Sequence, residues 1–183
     1  AELCCSAIPK QEVFDRGAGL MYSDITITAR ATMTSDSSLD IRVVRFLPAG
    51  TAAEYDALPE EVREQADAAT TLLQNNRMPA DAEPLKEALK GITEVRIDHD
   101  TNTYRVYYVA EFEYCVYIID AGMKKSPRKR QIPRPQIERL KLRRTQAEAH
   151  YRANESWFRK NYEARKAARK LLKGLDPREE SKQ

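Results

Sequence analysis

The stretch "GITEVRIDHDTNTYRVYYVAEFEYCVYIID", residues 91–120, decides the fold. Three runs rich in β-branched and aromatic residues (92–98, 103–109 and 113–120) are separated by the short stretches 99–102 and 110–112. Runs of this kind, joined by connections of a few residues, form an antiparallel meander. A slip of one residue would turn every side chain to the opposite face, so the apolar pattern selects a register. Centring the first hairpin between Asp100 and Thr101 sets Val95 opposite Val106 and Ile97 opposite Tyr104. The other face then sets Arg96 opposite Arg105. Centring the second hairpin on Glu111 sets Val106 opposite Val116, Tyr104 opposite Ile118 and Tyr108 opposite Tyr114, and it adds Tyr117 to the arginine row. Like charges directly opposed on a ladder cost roughly 0.2–1 kcal/mol. Such a row makes chemical sense beneath an anion; the competing reading is a surface network in which Glu94, Asp98 or Glu111 neutralises the arginines.

Upstream, "LDIRVVRF" (39–46) reads as a strand, and "LPAGT" turns the chain toward a short helix with Thr51 and Glu54 spaced for a capping box. Pro59 suits the start of a second helix. Leu58, Val62, Ala66, Ala69, Leu72 and Leu73 follow at helical spacing, and Asn75 and Asn76 end the run. "PLKEALKG" supplies one or two helical turns. Residues 1–39 form a weakly patterned extension without an assigned function, 40–150 the domain proper, and 151–183 a basic helix and tail. Residues 135–173 read as helix, with a break expected near Asn154 because the run is long for a globular helix without internal caps.

Charge is strongly segregated. Residues 1–123 carry 11 basic and 21 acidic residues, whereas 124–173 carry 18 basic and 4 acidic. A basic segment of this kind suits a polyanionic partner; its plain alternative is a solvated tail answering an acidic body. Directly after the third strand come Lys124, Lys125, Arg128, Lys129, Arg130 and Arg134. No apolar run approaches the ~20 residues needed to span a bilayer, so no membrane association is expected. Cys4, Cys5 and Cys115 have no metal-ligand spacing. A cytoplasmic location without metal or cofactor is the expectation.

The order "GITEVRID", "TYRVYYV", "YCVYIIDAGMKKSPRK" resembles the Glu-x-Arg, Tyr-Arg-x-x-Tyr and Lys-Lys core of the HigB-like, phage-derived toxins of the RelE superfamily. The similarity spans roughly residues 40–150. It implies a compact α/β (α+β) fold, with N-terminal helices packed on a twisted antiparallel sheet and, here, a basic C-terminal helical extension. It also implies a metal-independent endoribonuclease that cuts mRNA on the ribosome and is silenced by a cognate helix-turn-helix antitoxin. Carried over residue by residue, Arg96, Arg105, Lys124 and Lys125 match the family's basic core, while Gly122 stands where the family usually has an aromatic residue. On this reading Arg96 and Arg105 hold the scissile phosphate, and Lys124 or Lys125 transfers a proton. Tyr117 stacks on a base or transfers a proton, and Arg128, Lys129, Arg130 and Arg134 bind flanking phosphates. Two alternatives stay open: a non-catalytic RNA-binding protein on the same fold, and a phage-encoded protein-interaction module.

Overall fold

The computed structural model describes residues 41–124 and 132–173, with the backbone alone at residues 172 and 173. The expectations for residues 1–39 and for Lys125, Arg128, Lys129 and Arg130 lie outside the described residues. The elements run β1 (Val43–Phe46), α1 (Gly50–Asp56), α2 (Glu60–Gln74), β2 (Ala82–Pro84), a 3₁₀ turn (Glu87–Leu89), β3 (Thr93–His99), β4 (Asn102–Val109), β5 (Cys115–Met123) and α3 (Arg134–Lys173). They build the mixed α/β architecture expected: one five-stranded sheet, ordered β1-β5-β4-β3-β2, with helices on both faces. The sheet is not wholly antiparallel, because β1 pairs parallel with β5. These two strands are far apart in sequence and joined through helices, the kind of crossover that parallel pairing requires.

On one face lies α2, which Pro59 precedes and Asn75 caps; Asn76 follows in the left-handed region at φ 57°. Its buried Val62, Ala66, Ala69 and Leu73 pack on Val95, Ile97, Val106, Tyr108, Val116 and Ile118. The Tyr108 hydroxyl is satisfied there by Thr70 and the Ala66 carbonyl. The capping box does not form, since α1 begins at Gly50 and Thr51 lies inside it. The Thr51 hydroxyl instead donates to the Ile119 carbonyl, and Glu54 is taken by Arg143.

On the other face lies α3. Leu140, Ala147, Tyr151 and Phe158 recur at helical spacing and pack on Tyr107, Val109, Cys115, Tyr117 and Ile119. The break expected near Asn154 is absent, and the helix runs unbroken for 40 residues. Its apolar stripe continues through Phe158, and the Asn154 amide donates to the His150 carbonyl at 2.9 Å. Gly91 sits at φ 89°, where a Cβ would come within 2.8 Å of the Arg144 guanidinium that pairs with Glu111. That position requires glycine.

The first hairpin has the register read from the sequence: Val95 faces Val106, Arg96 faces Arg105 and Ile97 faces Tyr104. The second does not. Arg105 faces Gly122, Val106 faces Ala121 and Tyr107 faces Asp120, after which the register shifts so that Tyr108 faces Ile118 and Val109 faces Tyr117. Ile119 is the extra residue of a β-bulge. The loop is longer than its composition suggests because its aromatic residues serve the helix layer. Phe112 stacks on Tyr151 at 4.4 Å, and Tyr114 meets Tyr162 at 5.3 Å. Tyr117 therefore lies beside Arg45 of β1 and Val109 of β4, away from the arginine row.

Candidate nucleic-acid interface

Arg96 and Arg105, directly opposed on β3 and β4, project from one face of the sheet, but their surroundings differ. The Arg96 side chain is 60% exposed, with Nε 3.8 Å from Asp98. It borders a hollow also lined by Asp81, Glu83 and Glu94, so acidic groups dominate its neighbourhood. Arg105 is buried. Its Nη1 meets the Glu94 carboxylate at 3.2 Å, and its Nε has no hydrogen-bond partner among the described residues.

Beyond Arg105 a groove of about 730 Å³ opens between the end of the β4–β5 ladder and the first turn of α3. Arg105, Lys124, Arg134 and Arg139 bring positive charge to it, with Tyr107 and Gly122 among its other lining residues. No acidic residue occupies the first turn of α3, so no carboxylate of that turn offsets the partial positive charge of the helix N-terminus. Of the sequence-predicted residues that are described, the structure thus brings together Arg105, Lys124 and Arg134, while Arg96 stands on the acidic side of Arg105.

The groove's internal carboxylate is Asp120, almost fully buried. It accepts from Arg139 Nη2 at 2.7 Å and from Arg143 Nη1 at 2.8 Å. Burial pushes its pKa up, against the pull of the two arginines. Arg143 also grips Glu54 through both terminal nitrogens, at 2.8 and 2.9 Å, and donates to the Ile119 carbonyl. The hydrogen bonds from Arg143 hold Glu54 below the usual carboxylate range. This network fixes the first third of α3 to the sheet and gives the groove a rigid wall.

Tyr117 is not in the groove. It is fully buried beneath α3, its hydroxyl 2.8 Å from His150 Nδ1 and its ring edge-on to Phe112 and Phe158. In this position it supports the core and cannot stack on a base, because the bulge at Ile119 and the longer loop displace it along β5. Cys115 is likewise buried and its thiol is pushed up to about 12, chiefly by desolvation, which leaves it unreactive. His99 ends β3, with Nε2 3.4 Å from the carboxylate of Asp100 in the β3–β4 turn. Tyr107 does line the groove, with burial raising its phenol well above the ordinary value and Gln136 3.5 Å from its oxygen. Tyr107, Gln136 and Arg139 are groove residues the sequence reading missed. The available signal was the Arg139–Arg143 spacing of four residues, which presents two cations on one helix face.

The fold and groove define a mixed α/β domain with a cation-lined groove where its sheet meets a basic helix. The family model described as phage derived protein Gp49-like (DUF891) matches residues 53–153, more than half of the chain, and the chain belongs to that family. The match ends partway along α3. No curated protein matches the chain. Among the described residues no helix is long and apolar enough to cross a membrane.

Proposed function

We propose that the protein is the toxin of a type II toxin–antitoxin system, an endoribonuclease that cuts mRNA on the ribosome and is held inactive by a helix-turn-helix antitoxin. The observation that carries this reading is the convergence of Arg105, Lys124, Arg134 and Arg139 on one groove at the N-terminus of a basic helix. Membership of a phage-derived family whose sequence core resembles that of RelE-superfamily toxins supports it. Cleavage of RNA demands stabilisation of the charge that develops on the phosphorane, and preorganised guanidinium and ammonium groups supply it. In this reading Arg105 holds the scissile phosphate by the fork geometry of its guanidinium, Arg96 approaches the strand from the open side, and Lys124 serves the departing oxygen. Lys125 and the run Arg128, Lys129 and Arg130 extend the contact along the RNA.

Induction in a bacterial host should arrest growth, and primer extension on cellular mRNA should show new 5′ ends within minutes. Arg105→Ala and Lys124→Ala should abolish both effects. Undiminished arrest by both variants would remove the proposal's chemical basis.

A second reading, RNA binding without cleavage, is favoured by one observation: among the described residues no histidine lines the groove. Retained RNA affinity together with intact mRNA after induction would select it.

A further inference from the structure

We infer that the open position at Gly122 is a nucleobase subsite, in which one unstacked base of a bound RNA lies beside Arg105 while Lys124 and Arg134 hold the phosphates on either side. This rests on the RNA reading above and deepens it.

Gly122 is the direct cross-strand partner of Arg105. Residues so paired project from the same face of the sheet, with Cβ positions about 5 Å apart. A side chain at 122 would therefore stand in the groove next to the guanidinium. It would stand in open space among the described residues, because a Cβ there meets none of their heavy atoms within 4 Å. Among the described residues, β5 thus leaves an open position beside the buried arginine of the groove.

The chemistry around that position suits a neutral ring better than a second phosphate. Asp120 lies two residues back on the same strand, roughly 7 Å away by strand geometry, and it already engages Arg139 and Arg143, so these guanidinium groups are not spare for a second phosphate over Gly122. Lys124 lies the same distance forward, and Arg134 opens the helix that forms the facing wall. Tyr107, Ile132 and Pro133 give the groove apolar surface, and Arg105 offers the planar guanidinium face on which bases stack. A base is admitted there only from a single strand, where unstacking is cheap.

The test is fluorescence anisotropy on the full chain, with two labelled probes of equal length: a single-stranded RNA, and an abasic ribose-phosphate oligomer. The wild type should bind the RNA about tenfold more tightly than the abasic probe, within the range that stacking of one base provides. Gly122→Leu, which fills the position without offering an aromatic face, should bring RNA affinity down to that of the abasic probe and leave abasic binding within about twofold. Gly122→Ala should fall between. Gly122 does not occupy the left-handed region, so neither variant strains the strand, and an unchanged melting temperature for Gly122→Ala secures the comparison. Equal wild-type affinity for both probes, or equal weakening of both by Gly122→Leu, overturns the subsite while leaving the RNA reading standing. Failure of the wild type to bind either probe overturns both.

Discussion

Arg105 Nη1 lies 3.2 Å from Glu94 Oε2, with each side chain 11% exposed. An arginine that lines the groove is thus already partnered by a buried carboxylate. Desolvation raises the Glu94 pKa above its ordinary value, and Glu83 adds to the rise, while Arg105, Tyr107 and Arg96 pull it back. Protonation of Glu94 leaves the Arg105 charge uncompensated. RNA affinity should therefore increase as pH falls from neutrality toward the raised Glu94 pKa. Glu94→Gln should bind more tightly than wild type at pH 7 and show a flatter profile, which anisotropy titrations across pH will reveal.

Stability should respond to pH with opposite signs at two carboxylates. The folded pKa of Glu94 is raised, so the native state holds its proton more firmly than the unfolded chain does. Its contribution is present below the ordinary value near 4.5 and is lost as pH rises through the folded pKa. The Glu54 pKa is depressed, so its contribution is present above 4.5 and is lost as pH falls through the folded value. Denaturant melts should show Glu54→Gln removing part of the acid-side loss and Glu94→Gln removing part of the loss on the rising side.

Arg143 joins Glu54, Asp120 and the Ile119 carbonyl in one cluster. Truncating it strands the nearly buried Asp120 with one partner, Arg139. Arg143→Ala should cost about 3 kcal/mol, in the range measured when one member of a buried pair is removed. Chemical denaturation monitored by Trp157 fluorescence will measure the loss.

Phosphate contacts carry a salt signature. For single strands the slope of log K against log salt changes by about 0.7 per contact. Lys124→Ala with Arg134→Ala should flatten that slope by about 1.4, whereas Arg152→Ala, on an exposed stretch of α3 outside the groove, should leave it unchanged.

Tyr117 supplies a contrasting case. Because its hydroxyl faces His150 beneath α3, Tyr117→Phe should reduce stability by about 1 kcal/mol, the worth of one hydrogen bond. Growth arrest and RNA affinity should persist. Loss of arrest in a fully folded Tyr117→Phe protein would restore this residue to the reacting centre.

The first hairpin was legible because its apolar residues match in only one register, and its turn needs a residue such as Asp100 that accepts positive φ, here 53°. The second was misread because Phe112 and Tyr114 carry strand-like side chains that the loop uses to reach Tyr151 and Tyr162. Local pattern cannot distinguish an aromatic residue buried by its strand from one buried by a distant helix. The same limit hid the continuity of α3, since the packing of Phe158 against the sheet holds the helix straight through Asn154. The basic cluster was legible as charge. Which cations converge was not, because Arg139 enters the groove through its pairing with Asp120, nineteen residues away in the sequence.

The additional residue in β5 has a consequence for the lysine doublet. Before it, odd-numbered Cys115 and Tyr117 point toward α3; after it, even-numbered Asp120, Gly122 and Lys124 do. Ile119 therefore works like a frameshift in the strand's alternation, setting Lys124 on the same side as Arg105. Deleting that one isoleucine would restore an uninterrupted alternation and leave Asp120, Gly122 and Lys124 on the side they already occupy.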